Sequence, residues 1–375
     1  MPTEIVFGAG AAGDLPQIIK ERLQAVRPFL VTDKGIDAAG ILSQLWVPLA
    51  GIPVFDEVEP NPRHIAVNKA GEMVRALKPD LVIGLGGGSV LDAAKAVALL
   101  ATNPGRIEDY EGREKYKTAP LPVLAIPTTC GTGSEVTWVA VITHTERRFK
   151  MSIKGPLMYP AVALVDPDLL MTLPSHLVAS TGLDALTHAL EAYTSKPASF
   201  FTDVLALEAL RLIFRHLPAA YQDIKNNAGA REGLMLGSLL AGMAFGNSDV
   251  GAVHCLAESV GSLYGTAHGV ANAIFLPYVV EFNLSAARDK YAHIAAAIGL
   301  ESAGGDEAAR ALIKRVKNLS RSLSIPSFQD LGIPESDFAA VAKKSFENNS
   351  NPSNPREASA EDYLDILRRA ASTAC

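Results

Sequence analysis

Cysteine is scarce in this chain: three residues, Cys130, Cys255 and Cys375, odd in number and far apart. That excludes a disulfide framework and points to a reducing compartment. Long hydrophobic runs are missing too. The most apolar stretch, residues 234–245, is loaded with Gly and Ala and falls short of a membrane span. The start, MPTEIVFGAGAAG, has neither a basic n-region nor an apolar h-region, so no signal peptide is expected. Basic runs are absent as well. With 34 Lys and Arg against 40 Asp and Glu the formal charge is −6, which leaves no electrostatic footprint for nucleic acid. There is no internal repeat and no low-complexity tail. What remains is 375 residues, 48% apolar and 20% charged, an ordinary globular balance. At roughly 150 residues per domain, that length suggests two domains. A soluble cytoplasmic protein is expected.

The first half alternates short apolar runs with helical patterns. Strands are expected at 4–7, 28–31, 81–85, 123–126, 139–143 and 163–165, most of them apolar along their whole length, as in strands covered on both faces. Helical spacing occupies 15–26, 65–77 and 90–100 between them. Such alternation predicts a parallel α/β sheet. Beyond DPDLLMTLPS (166–175) strand signals almost vanish, and Ala, Leu and Glu recur at helical spacing to the end. Breaks are expected at Lys196-Pro197, Leu217-Pro218, residues 226–229 and Ile325-Pro326. The division expected is therefore 1–174, α/β, and 175–375, all helical. The polar, Pro-rich NNSNPSNP at 348–355 suggests a surface loop.

Two glycine clusters follow expected strands. GAGAAG at 8–13 is a literal GxGxxG, and Asp33 stands 20 residues past Gly13 at the end of the next strand. That spacing fits a dinucleotide fingerprint, although a Gly/Ala-rich turn satisfies it equally well. The second cluster, Gly86, Gly87, Gly88 and Ser89, runs from a buried strand into a helix. Three consecutive glycines are entropically costly, and they let a phosphate approach exposed amides at a helix N-terminus. Asp92 is expected in that helix's first turn. A third loop, PTTCGTGSE at 127–135, offers small hydroxyls where a parallel sheet grips a nucleotide.

The helical half holds a different pattern. Asp184 and His188 stand at i and i+4 on an apolar helix face, with Ser180 as the expected cap. His254 lies in another apolar helical stretch and His268 in a Gly-flanked one. A buried carboxylate needs a cation, and one carboxylate with three imidazoles suits iron(II) or zinc rather than magnesium or calcium. Hydrogen-bonded core histidines are the plainer alternative.

Taken together, GGGSVLDAAKAVAL (86–99), PTTCGTGSEVT (127–137), DPDLL (166–170), GLDALTHALEAY (182–193) and HGVANAIFLPYVVEFN (268–283) resemble the iron-containing (group III) NAD-dependent alcohol dehydrogenases over nearly the whole chain. The resemblance implies a Rossmann-like parallel-sheet domain followed by an all-α domain, with the active site in the cleft between them. It assigns the pyrophosphate to Gly87, Gly88 and Ser89, which leaves the first glycine loop a tight turn. Asp33 is implied at the adenosine ribose, where a carboxylate favours NAD over NADP. Thr128, Thr129, Thr137, Lys150 and Leu169 match cofactor-contacting positions, and Asn61 matches one near the nicotinamide. Asp184, His188, His254 and His268 match the four metal ligands, for Fe(2+) with Zn(2+) also suited. The implied reaction is reversible hydride transfer between a small primary alcohol or diol and NAD, giving the aldehyde. A homodimer or larger homo-oligomer is implied as well.

There are departures. Many relatives carry a second histidine four residues after the first, where this chain has Glu258. Glu258 is therefore a candidate to relay a proton or to orient His254. Asp249 is unusual among apolar neighbours and is expected near the pocket, and Phe245 is a candidate pocket wall. Two other readings compete. A lyase of the dehydroquinate synthase type would need basic residues near the metal, and the few in 184–268, Lys196, Arg211, Arg215, Lys225 and Arg231, stand away in sequence from the four ligand candidates. A non-catalytic metal-binding oligomerisation module leaves the nucleotide loops unexplained.

Overall fold

The computed structural model describes residues 2–45, 49–300 and 304–372. The chain forms two compact units, Met1–Thr129 with Gly133–Leu173, and Pro174–Cys375 with Cys130–Thr132.

In the first unit six parallel strands form one sheet: β1 (Glu4–Phe7), β2 (Pro28–Val31), β3 (Val54–Phe55), β4 (Leu81–Gly86), β6 (Val123–Pro127) and β9 (Val162–Val165). Their order is β1-β9-β6-β4-β2-β3. After β2 the chain moves outward to β3, then returns to lay β4 on the other side of β2. The carboxyl ends of β2 and β4 therefore flank the point where strand order reverses, the place where open α/β sheets bind ligands. Apolar clusters cover both faces, one built around Phe29, Val82 and Val97, the other around Leu30, Ile83 and Leu124. That double cover is why β4, β6 and β9 are apolar throughout. Helix α1 (His64–Leu77) and helix α2 (Gly88–Thr102) pack on this framework, and α2 is buried from Val90 to Leu100 save Asp92.

Three expectations for this unit change. The stretch 139–143 is a strand, β7 (Val139–His144), but it belongs to a separate sheet. There it pairs antiparallel with β8 (Phe149–Lys154), which pairs in turn with β5 (Gly112–Arg113). In FKMSIK only Met151 and Ile153 are buried, so β8 alternates and lacks the continuous apolar run that marks β4, β6 and β9. It falls outside the expected strands, as do the two-residue strands β3 and β5. The helix expected over 15–26 is short and irregular, Leu15–Gln17 running into a wider turn at Ile18–Arg22. Asp92 lies beyond the first turn of α2 and does a different job, described below.

The first glycine loop is filled by the chain itself. Gly10 N–H donates to Asp166 Oδ1 at 3.0 Å and Ala12 N–H to Asp166 Oδ2 at 2.9 Å. Asp166, 2% exposed, also accepts from Asp168 N–H at 2.9 Å. The amides that make GxGxxG an anion cradle thus hold an internal carboxylate. Asp166→Ala strands these amides, two of them in the loop, and should cost roughly 3–5 kcal/mol in urea denaturation. Asp166→Asn, which keeps an acceptor oxygen, should lose less.

The second unit is helical: α3 (Ser175–Thr194), α4 (Phe200–Asp223), α5 (Ala228–Phe245), α6 (Ala252–Tyr264), α7 (His268–Phe282) and α8 (Leu284–Ala297), followed by α9 (Gly305–Ser322), α10 (Phe338–Phe346) and α11 (Ala360–Ser372). Helix α3 begins before Ser180, whose hydroxyl donates back to Leu177 O at 3.4 Å, so Ser180 is not its cap. The break expected at Leu217-Pro218 does not occur. Pro218 sits inside α4, whose Ala206, Ala209, Leu210, Ile213 and Leu217 are buried, and packing outweighs the lost backbone bond. Among the described residues no single helix is long and apolar enough to cross a membrane.

The NNSNPSNP segment is not the surface loop its composition suggested. Asn354 is fully buried, pairs with Asn283 in both directions at 3.0 and 2.8 Å, and accepts from Ala252 N–H at 3.2 Å. Asn351 accepts from Tyr363 Oη at 2.8 Å. Asp249 anchors the same segment, accepting from Ser350 Oγ at 3.2 Å and Ser353 Oγ at 2.6 Å. Composition reads such a stretch as solvated. Here its buried members, Ser350, Asn351 and Asn354, each find partners inside, which removes the penalty for burial.

Candidate metal centre and nucleotide loops

Helix α3 aligns Asp184, His188 and Glu191 at i, i+4 and i+7, and burial leaves them 2%, 4% and 3% exposed. His254 comes from the first turn of α6, and His268 opens α7. Around Asp184 Oδ1 stand His188 Nδ1 at 4.0 Å, His254 Nε2 at 3.9 Å and His268 Nε2 at 3.7 Å. One donor atom from each of the four residues falls within 4.8 Å of the others. Those separations are too long for hydrogen bonds. For His254 Nε2 and His268 Nε2 they approach the spacing of about 3.4 Å that donors take when each lies about 2.1 Å from one tetrahedral ion.

The surroundings fit a cation. His188 Nδ1 lies 3.2 Å from Gly131 O, and donating its proton there leaves Nε2 bare, the tautomer a metal ligand needs. Burial pushes the His188 pKa down to about 4, so its imidazole is neutral near pH 7. Burial also works on Asp184, upward. The three imidazoles and the Asn272 amide outweigh it, and the carboxyl ends below its ordinary value. Asn272, fully buried one turn along α7, brings Nδ2 to 2.6 Å from Asp184 Oδ1 and 3.2 Å from both His254 Nε2 and His268 Nε2. The acceptors thus converge on a place arranged for a positive group.

Glu191 holds the centre from behind. Its Oε2 lies 2.5 Å from His254 Nδ1, and its Oε1 accepts from Val253 N–H at 2.8 Å. Burial lowers the His254 pKa, but the Glu191 charge and hydrogen bond overcome it and raise the value. Gly251 permits this approach: a Cβ there would stand 3.1 Å from Glu191 Oε1 and 2.9 Å from Asn354 Oδ1. Glu258, the candidate to orient His254, instead accepts from Asn348 Nδ2 at 2.6 Å. Orienting His254 belongs to Glu191. Asp249, expected near the pocket, is taken up by the 350–353 segment. Phe245 stacks on His188, with ring centroids 4.2 Å apart and planes 15° off parallel.

In the first unit Asp33 and Gly87–Ser89, of the expected nucleotide residues, lie just past β2 and β4 at the switch point. Asp33 stands two residues past the end of β2 and caps the next short helix, its Oδ1 accepting from Gly35 N–H at 2.7 Å and Ile36 N–H at 3.1 Å. Gly87 is the N-cap of α2, Gly88 and Ser89 its first residues. A Cβ on Gly86 would come 2.6 Å from Val90 Cγ2, which leaves no room for a side chain, and one on Gly87 would press on Thr129 Cγ2 at 3.2 Å. Asn61, with φ at 56°, donates its N–H to Ser89 Oγ at 3.3 Å. Thr128 N–H donates to Gly86 O at 3.0 Å, tying the hydroxyl loop to the glycine loop. Thr137 is buried in that loop and Lys150 lies on β8. Leu169 belongs to the sheet's apolar cluster.

Asp92 and Lys95 fix the hydroxyl loop. Asp92 accepts from Ser134 Oγ at 2.6 Å and from Val141 N–H at 3.0 Å. Lys95, 1% exposed, donates to the carbonyls of Ser134 and Val139 and pairs with Asp92 at 3.1 Å. Glu135 sits in the same loop, 4% exposed, and burial raises its carboxyl to about 7. A raised folded pKa means that the protonated form favours folding. That contribution is complete below about pH 4.5 and is lost as pH climbs to about 7, a difference on the order of 3 kcal/mol. Glu135→Gln should flatten this slope, read as thermal midpoint against pH from 4 to 8.

The family description "Iron-containing alcohol dehydrogenase" matches residues 2–167, and "Fe-containing alcohol dehydrogenase family, C-terminal" matches residues 178–371. The chain belongs to the iron-containing alcohol dehydrogenase family. Among this family's members, the 1,3-propanediol dehydrogenase of Citrobacter freundii is 39% identical, over 99% of this chain and 97% of its own. The NAD-dependent methanol dehydrogenase of Bacillus methanolicus is 36% identical, over 99% and 98%. A solved structure of a 1,3-propanediol oxidoreductase superimposes with a TM-score of 0.94 at 39% identity, covering 98% of both chains. The protein is thus an alcohol oxidoreductase, and the lyase and non-catalytic readings are not favoured. Two residues at this dehydrogenase's candidate centre escaped sequence reading, Glu191 and Asn272. Each had a signal: Glu191 is seven residues past Asp184 and Asn272 four past His268, on the same helical faces.

Proposed function

We propose that this iron-containing alcohol dehydrogenase reversibly transfers a hydride between a small primary alcohol or diol and NAD, with one divalent ion held by Asp184, His188, His254 and His268. The observation carrying this reading is the convergence of those four side chains, three of them buried, around one carboxylate oxygen. Iron(II), or zinc in the same ligand set, supplies Lewis acidity that favours the alkoxide of a bound alcohol. Glu191 keeps His254 in the ligand tautomer, and the Phe245 ring beside His188 offers an apolar wall to a short carbon chain. The nucleotide role falls to 1–174, with Gly87, Gly88 and Ser89 at the pyrophosphate, Asp33 at the ribose, and Asn61, Thr128, Thr129, Thr137, Lys150 and Leu169 around the remainder. The metal and substrate roles fall to 175–375. The location of Gly87–Ser89 and Asp33 at the switch point supports this division. Glu258, hydrogen-bonded and half-buried on α6, is the proton-relay candidate in place of the usual histidine. A cytoplasmic homodimer or larger homo-oligomer completes the reading, checked by light scattering.

The test follows NADH absorbance with iron-loaded protein, NAD and a panel of primary alcohols and diols. Turnover that disappears on chelation and returns with iron(II) is the expected result. No NADH from any alcohol, with the ion bound, sinks the reading.

A further inference from the structure

A second group of metal-binding side chains lies in the first unit, on residues with no part in the reaction above. We propose that His64, His144 and Glu146 form a separate site for a divalent cation of the zinc class. His64 is the first residue of α1 and His144 the last of β7, and an isolated bridge between Arg63 and Thr143 brings these ends together. The two imidazole rings stack, centroids 4.4 Å apart and planes 26° off parallel. Both address one carboxylate oxygen: His64 Nε2 lies 3.2 Å and His144 Nδ1 3.0 Å from Glu146 Oε2.

Three features favour an ion over a plain ion pair. First, the His144 Nδ1 atom is buried and makes no hydrogen bond, so despite its distance from Glu146 it is not aligned on that oxygen. Second, His64 Nδ1 faces the backbone, 3.3 Å from Thr143 O and 3.4 Å from Thr145 N, and can donate to the first or accept from the second but not both. When Nδ1 donates to the Thr143 carbonyl, Nε2 presents a bare lone pair toward Glu146, as a ligand must. Third, a second carboxylate stands close, Glu108 Oε1 at 3.8 Å from His64 Nε2. Two imidazoles and a carboxylate, with water at the open position, form the donor set that zinc takes in a four-coordinate site. The Glu146 side chain is 64% exposed, so an ion has a path in from solvent, while His64 is closed over at 3%. An ion held there would pin the start of α1 to the β7–β8 hairpin.

The experiment uses full-length protein stripped by chelator, loaded with excess zinc, desalted and counted by elemental mass spectrometry. Two zinc ions per chain are expected. The substitution Asp184→Ala should leave one ion, and adding Glu146→Gln with His144→Ala should remove that one too. On wild-type background, Glu146→Gln with His144→Ala should keep one ion and leave NAD reduction unchanged. Because Glu146→Gln alters an exposed side chain, its effect on zinc retention can be read even where His144→Ala weakens folding. A wild-type chain that retains a single ion, lost entirely with Asp184→Ala, overturns the proposal. So does a second ion that survives Glu146→Gln with His144→Ala.

Discussion

Asp184→Asn should leave a folded protein that no longer retains its ion, with kcat lower by on the order of 1,000-fold or more. The carboxylate is the one anionic member of the set, and its Oδ1 is the point around which three imidazoles gather at 3.7 to 4.0 Å. An amide has the same shape and can still meet Asn272 through its oxygen, so the helix packing is kept. It carries no charge to balance a divalent ion in a site only 2% exposed. Three measurements separate this from simple damage. Circular dichroism should match wild type, iron content after desalting should fall to background, and added iron(II) should raise the thermal midpoint of wild type but not of the variant. Full metal content with normal turnover would remove Asp184 from the ligand set.

Glu191 carries the second large effect, although no expectation from the sequence had included it. Glu191→Ala leaves His254 Nδ1 and Val253 N–H buried without their acceptor, which should cost about 3 kcal/mol of stability. Metal affinity should fall a further 10- to 100-fold, because an imidazole that has lost its carboxylate partner is a less basic and less fixed ligand. Glu191→Gln separates the two consequences. It keeps volume and one acceptor oxygen, so stability should largely return, while metal affinity should stay reduced for want of the charge. Titration of the chelator-stripped proteins with iron(II) or zinc, beside chemical denaturation, reads both. Glu258→Gln is the control: its partner is Asn348, and metal affinity should change little. Equal losses for Glu191→Gln and Glu258→Gln would refute the assignment of the orienting role.

Much of the fold was legible because it rests on local pattern. β4, β6 and β9 are sandwiched between apolar layers, so their runs stand out, and Gly86 and Gly87 mark a place where a side chain would strike Val90 or press on Thr129. β8 was not legible, since half of FKMSIK faces away from the core and its pairing with β7 is a long-range fact. Pro218 misled for the opposite reason, a strong local breaker overridden by the helices packed around it. The NNSNPSNP segment failed in the same way. Its polarity signals solvent, but Asn354, Asn351 and their partners complete one another's hydrogen bonds in the interior.

By itself, the sequence determined the α/β-then-α order, the glycine and hydroxyl loops at strand ends, and the four chemically matched side chains Asp184, His188, His254 and His268. These depend on residue type and on spacing along one element, and both are written in order along the chain. Tertiary structure alone decided which carboxylate stands behind which histidine, giving His254 to Glu191 and Glu258 to Asn348. It decided that Asp166 would fill the first glycine loop and leave the second as the candidate for phosphate. It also set His64 against His144, 80 residues apart, around a shared oxygen. A hydrogen-bond partner is a matter of distances between elements, and no periodicity encodes it.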